Sequence, residues 1–275
     1  LAGKRVGSNA VTHIRLWIAL PVIIVINFAF TGTPIPLDLS GSSYLFLSLS
    51  GLMGFCLADL FIFRAFVDIG HRETLVIMTT SPIFSTIISW FVLGEVLTLL
   101  QISGIALTVA GIGWVLFAEN RAVDSTKAER RKVAPGVLFA FAGALAQAAG
   151  LTLAKFGMGS EVHPVSANLL RITAGLAGLV IFTAIRGQFF ADFRRMKDTK
   201  ALLYIGIGAV IGPVLGIILT LYALTMAPVG VVTTIMQVSP IMLLPIDKFV
   251  FKKRIPIGAV LGTFVAVGGA MLLFV

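Results

Sequence analysis

The chain is written as long apolar runs separated by short polar connections. Runs of roughly 20 residues are what a helix needs to cross a hydrocarbon core. They predict nine membrane spans, at about 8–30, 43–67, 73–94, 99–118, 134–156, 164–186, 200–226, 229–250 and 256–275. Most connections are too short to hold an extramembrane domain. The longest polar one, 119–133, carries charges of both signs and reads as a solvated linker. The expected fold is an all-α polytopic membrane helix bundle.

The pattern also repeats. Thr79-Thr80-Ser81-Pro82-Ile83 returns as Gln237-Val238-Ser239-Pro240-Ile241, and 239 − 81 = 158. In the same phase Gly54 pairs with Gly212, Ala65 with Ala223, Met78 with Met236, Gly104 with Gly262 and Gly111 with Gly269. This indicates a tandem duplication: a first repeat at 1–118 with four spans, a cytoplasmic linker at 119–133, and a second repeat at 134–275 with five. Arg15 and Arg171 correspond nearly as well, 171 − 15 = 156 residues apart. The helix at 134–156 has no counterpart ahead of Arg15, and the chain has no initiator methionine. One N-terminal helix is thus expected to be missing, with ten spans in the native protein. A five-helix unit starts and ends on opposite sides of the bilayer, so the expectation is an inverted-topology five-helix repeat.

A proline inside a membrane helix leaves the carbonyl one turn earlier without its amide partner, which a nearby serine or glutamine can help satisfy. Helices broken at matching places in two halves point to a transporter's substrate site, opened alternately to either side. Ser81, Pro82, Ser239 and Pro240 mark the two breaks, and Thr79 and Gln237 stand at equivalent positions beside them.

Composition sharpens this picture. The 275 residues are 58% hydrophobic and 12% charged, with mean hydropathy +1.03. A soluble domain of this size needs more polar surface. Net charge is +9, which in a soluble protein would suggest nucleic acid. Here the basic residues sit in one set of connections, around 4–5, 72, 121–132, 194–200 and 252–254. The opposite set, 31–42, 95–98, 157–163 and 227–228, holds no Lys or Arg. By the positive-inside rule the first set is cytoplasmic and Val275 lies outside. Nucleic acid is excluded as a partner; the bilayer and a small-molecule solute are expected. The single Cys56 rules out an intrachain disulfide. His13, His71 and His163 are scattered, without metal-ligand spacing, and no phosphate loop or nucleophile elbow is present. No metal, cofactor or catalytic residue is expected.

Few residues could carry chemistry. Asp59 is the one carboxylate well inside a predicted span, where ionised groups usually mark a solute or proton path; pairing with Arg64 is the plainer alternative. Arg15 and Arg171 could meet a substrate carboxylate or phosphate through a charge-assisted fork. The alternative is snorkelling to the headgroups, and Thr12 and Asn168 offer each arginine a local polar partner. Ser81, Ser85 and Ser89 share one helical face, as small residues do where helices pack closely. Gln147, Trp90 and Tyr222 could supply hydrogen bonds and an aromatic wall. The glycines at 104, 111 and 113, and at 258, 262, 268 and 269, suit close helix packing, within one chain or in a homodimer.

With these residues in place the sequence resembles the drug/metabolite transporter superfamily, in its EamA-type branch. Arg15, Ser81-Pro82, Leu93-Gly94-Glu95-Val96-Leu97-Thr98 and the glycines from 104 to 113 carry the resemblance in the first half. Arg171, Ser239-Pro240 and the glycines from 258 to 269 carry it in the second. It departs at Lys252-Lys253-Arg254, where Gly-Glu would be expected. The resemblance implies metabolite export from the cytoplasm, at a bacterial inner membrane. Amino acids are the first candidates, aromatic ones the specific guess. Rival readings are an intramembrane lipid-modifying enzyme, which would need several convergent acids or histidines, and a non-transporting structural membrane protein, which would need no paired helix breaks.

Overall fold

The computed structural model describes residues 8–121, 133–187, 199–238 and 256–274. All of its regular structure is helical: α1 (Ser8–Thr31), α2 (Gly41–Gly51), α3 (Asp59–Asp68), α4 (His71–Met78), α5 (Ser81–Leu93), α6 (Leu99–Arg121), α7 (Val133–Met158), α8 (Pro164–Ile185), α9 (Thr199–Ala209), α10 (Ile217–Met226), α11 (Val229–Met236) and α12 (Ile257–Met271). Two wide π-helical segments, Leu52–Ala58 and Val210–Gly216, join α2 to α3 and α9 to α10. In hydrocarbon every backbone amide must be satisfied internally, and helices do this within one segment. The exposed side chains fit that solvent: Phe28, Ile185, Leu219 and Phe264 are 57–82% accessible, apolar surface that lipid covers.

The count of nine spans, and of ten in the native protein, is corrected. Among the described residues six helical stretches are long and apolar enough to cross a membrane: Val11–Thr31, Gly41–Asp68, Glu73–Leu93, Ala134–Met158, Pro164–Ile185 and Leu202–Met226. Within the expected spans at 99–118 and 256–275, the stretches counted as apolar helix are the shorter Leu99–Val115, inside α6, and Val260–Met271, inside α12. Of the expected span at 229–250, α11 stops at Met236, and residues 239–255 lie outside the described residues. An apolar run reports composition, and a helix can end before the run does. The inverted five-helix count built on nine spans falls with it.

The duplication is visible in the elements nonetheless. Adding 158 to the bounds of α2, the first π segment, α3 and α4 gives those of α9, the second π segment, α10 and α11. Similar sequences thus widen, straighten and stop at equivalent places.

The chain packs as two compact units, and neither is one sequence repeat. The first is Leu1–Phe63 with Ala149–Met226, the second Arg64–Ala148 with Ala227–Val275. In the first, Leu16, Ala19 and Ile23 of α1 share a core with Phe55, with Leu169, Ile172 and Leu176 of α8, and with Ala209 and Val214. Small residues let backbones close in: a Cβ on Gly175 would lie 2.6 Å from that of Phe55, and one on Gly157 3.0 Å from the backbone nitrogen of Leu47.

The second unit is organised on the crossing of α6 and α12. A Cβ on Gly104 would lie 2.9 Å from the Gly269 carbonyl, and one on Gly262 2.9 Å from that of Gly111. Four of the expected packing glycines therefore stand in one seam, whereas Gly113 and Gly268 face open space. In the same unit Gly94 ends α5 in the left-handed conformation (φ 67°), a backbone that glycine adopts without strain.

Candidate functional site

In the first unit, α1 carries Arg15 to Asp59, which opens α3 directly after the first π segment; the guanidinium Nη2 donates to Asp59 Oδ2. The plainer partner named for Asp59, Arg64, is instead taken by Asp68, one turn along its own helix, at 2.9 Å. Both side chains of the Arg15–Asp59 pair are largely withdrawn from the surface, at 22% and 16% accessibility.

Arg171, on α8, is placed differently. It is 2% accessible, with Nε and Nη1 buried and without a hydrogen-bond partner. Its guanidinium carbon lies 5.4 Å from the centroid of the Phe55 ring, within cation–π range. Gly54 leaves room for it, since a Cβ there would lie 3.2 Å from Nη2. Asn168 is fully buried one turn earlier, but it does not serve Arg171 as a local partner. Its amide donates to the carbonyls of Pro213 (2.9 Å) and Val214 (3.4 Å) in the second π segment, and its own Oδ1 is unpartnered.

At one end of this unit Tyr222 meets His163, hydroxyl to Nε2 at 2.9 Å. His163 Nδ1 accepts from the Val165 amide at 3.3 Å, capping α8. A neutral imidazole that accepts at Nδ1 carries its proton on Nε2, so His163 donates to Tyr222. A cavity of about 550 Å³ opens here, with Lys155, Glu161, His163, Tyr222 and Thr225 in its lining.

In the second unit, the break expected at Ser81-Pro82 is present. The helix stops at Met78, turns at Thr79–Thr80 and restarts at Ser81 with Pro82 in its first turn. Pro82 has no amide to offer the carbonyl four residues back, that of Met78. Gln237 Nε2 donates to this oxygen, so the side chain beside the second break satisfies the carbonyl freed by the first. Thr79 and Thr80 turn their hydroxyls back to Val76 (2.6 Å) and Ile77 (2.7 Å). Ser81 Oγ donates to the Ala144 carbonyl at 3.3 Å.

Ser81, Ser85 and Ser89 are all buried, as a packing face requires. Ser85 Oγ and Thr233 Oγ1 lie 2.6 Å apart, and Gly230 lies against Thr86, so α5 and α11 pack closely. Glu95, just past α5, accepts from the Val229 amide at 2.9 Å and so caps α11. Trp90 is 55% accessible and its ring lies 4.6 Å from that of Phe91. Gln147 is half-buried on α7. Ser239 and Pro240 lie outside the described residues.

The structure thus gathers Thr79, Ser81, Pro82 and Gln237 in one unit, and Asp59, Arg171 and Tyr222 in the other. Sequence reasoning missed Phe55 beneath Arg171, Thr233 opposite Ser85, and the buried Asn27–Ser166 hydrogen bond of 2.8 Å. A polar residue within an apolar run was the available signal for Asn27; nothing set Phe55 apart among 21 phenylalanines. Among the described residues no three His, Cys, Asp or Glu side chains converge as a metal site.

Long apolar helices with an ion pair and a buried arginine inside them define a polytopic membrane protein. The chain belongs to the EamA-like transporter family, whose profile matches residues 1–117 and 134–275. It is a membrane transporter, in a family of transporters and not of enzymes. No curated protein matches the chain. Among solved structures 24 chains match. One of them, a crystal structure of another protein, superposes with a TM-score of 0.70 at 18% identity, covering 99% of this chain and 90% of its own. That likeness concerns the fold alone.

Proposed function

We propose that this transporter exports small organic metabolites, amino acids foremost and aromatic ones as the specific candidate, across the bacterial inner membrane. The observation that carries a charged or zwitterionic cargo is the set of ionisable groups inside spanning helices: Arg15 with Asp59, and Arg171. Such groups are costly in a bilayer and are kept where they serve a solute or proton path. The broken helix at Thr79–Ser81, with its freed carbonyl held by Gln237, supports movement by alternating access around a midplane cavity. In the second unit, Thr79, Ser81, Pro82, Gln147, Gln237, Ser239 and Pro240 are proposed to contribute polar surface to that cavity and Trp90 its aromatic wall; in the first unit, Tyr222 is proposed as the aromatic wall of the cavity beside His163.

Purified protein in proteoliposomes tests this. Saturable flux of a labelled aromatic amino acid is expected, and Asp59→Asn is expected to lower it and to change its pH dependence. Protein with intact helices and no saturable flux of any amino acid refutes the cargo. An Asp59→Asn variant identical to wild type at every pH removes Asp59 from the path.

A further inference from the structure

The duplication gives each repeat an arginine near the start of a spanning helix, but only one of them an acid. Asp59 faces Arg15, and the position 158 residues on from Asp59 is Ile217. The other described carboxylates of the first unit, Asp38 and Glu161, are exposed in connections. Among the described residues of the first unit, Arg171 therefore has no carboxylate to balance its charge in the interior.

It is also not alone in being unsatisfied. Asn168 Oδ1, an acceptor, is buried without a donor three residues before Arg171, whose Nε and Nη1 are donors without an acceptor. Residues three apart on a helix are neighbours on one face. The donors do not turn to the acceptor, because the Asn168 amide is fixed on the carbonyls of Pro213 and Val214. What α8 presents is an oriented acceptor beside a cationic fork, with the Phe55 ring below the fork and the side-chain-free Gly54 next to it.

We infer that Asn168 and Arg171 form the recognition element for an α-amino acid, the carboxylate held by Arg171 and the ammonium by Asn168 Oδ1. This rests on the transport reading above and specifies which end of the cargo is read by which side chain. A carboxylate takes two parallel hydrogen bonds from one edge of a guanidinium, here Nη2 together with either Nε or Nη1, and an ammonium supplies the donor that Oδ1 lacks.

The test uses full-length protein and three probes: L-phenylalanine, phenethylamine without the carboxylate, and 3-phenylpropionate without the ammonium. Two readouts are taken, proteoliposome flux and thermal stabilisation in detergent. Wild type is expected to carry phenylalanine, reject phenethylamine and be stabilised by both carboxylates. Arg171→Met should lose that stabilisation and about 10- to 100-fold of phenylalanine flux, the span expected for a charge-assisted hydrogen bond. Arg171→Lys, which keeps the charge and loses the fork, should fall between. Asn168→Leu should weaken phenylalanine about tenfold and leave 3-phenylpropionate binding unchanged.

Wild type that carries phenethylamine as well as phenylalanine overturns the inference and leaves the transport reading standing. So does Arg171→Met that loses stability while Arg171→Lys regains it with the carboxylate preference unaltered, since Arg171 is then structural. Wild type inert to all three probes in both readouts overturns the inference and the amino-acid cargo together.

Discussion

The seam between α6 and α12 allows a prediction worked from distances. Gly111 faces Ala266, and a Cβ on Gly111 would lie 2.8 Å from the Ala266 Cα and 2.8 Å from its Cβ. Carbon atoms rest at about 3.5–4.0 Å, so Gly111→Ala must push the two helices apart by close to 1 Å. The obstructing atoms include backbone, and no rotamer change relieves them. Overpacking of this kind costs about 1–3 kcal/mol. Against it stands the gain from replacing a mid-helix glycine by alanine, about 1 kcal/mol in water and less in lipid, where the helix is already enforced. Packing wins, and Gly111→Ala should destabilise by about 1–2 kcal/mol. Gly113→Ala is the matched control, two residues away on the same helix with nothing within 4 Å of its would-be Cβ. It should be neutral or slightly stabilising. Thermal unfolding followed by helical circular dichroism in one detergent compares the two. A Gly111→Ala variant as stable as Gly113→Ala refutes the reasoning, because the close approach of the helices would then not constrain the fold.

Three further outcomes follow from single contacts. Asp59→Asn leaves Arg15 without its counter-charge and should destabilise by about 3 kcal/mol, the low end for a broken buried pair. The Arg15→Met, Asp59→Leu double variant should recover most of that, and additive losses in this unfolding cycle would contradict the pairing. Thr233→Val removes the bond to Ser85 while keeping the shape, and a loss of about 0.6 kcal/mol is expected, the average for side-chain bonds between membrane helices, with about 1.7 kcal/mol the upper bound. The same unfolding measurement decides it, with no change the contrary result. Gln237→Leu strands the Met78 carbonyl and should cost about 1–3 kcal/mol. Backbone hydrogen exchange around residues 76–84 should rise with it, and unchanged exchange would show that the carbonyl needs no donor.

Much of this was legible in the sequence because membrane helices are strongly constrained. The apolar runs located every long span, and the 158-residue register located the matched π segments without revealing that they are wide. Pro82 announced the break and the freed carbonyl, since both follow from its missing amide. The number of spans was not legible: 229–238 is as apolar as any run, yet α11 ends at Met236, and the Gln237 side chain just past it reaches across to the Met78 carbonyl. The partner of Asp59 was not legible either. Arg64 is close in sequence, but which of two arginines meets a carboxylate depends on helix rotation, and the extra residue per turn from Leu52 to Ala58 resets that rotation. Arg171 stood out as a charge in an apolar run, whereas its want of an acid among the described residues is a property of the packed unit.

The wide turn just ahead of Asp59 has a mechanical consequence. A π turn holds a spare residue, and rewinding it into ordinary α-helix would swivel everything downstream by one residue's share of a 3.6-residue turn, about 100°. Asp59 would be carried off its bearing on Arg15, so the ion pair works as a pawl that keeps this ratchet from slipping. The second copy has the same spare residue and, at Ile217, no such pawl, but the Asn168 amide grips its wide turn at the Pro213 and Val214 carbonyls. Each ratchet thus has its own catch, one an ion pair and the other an amide on the backbone.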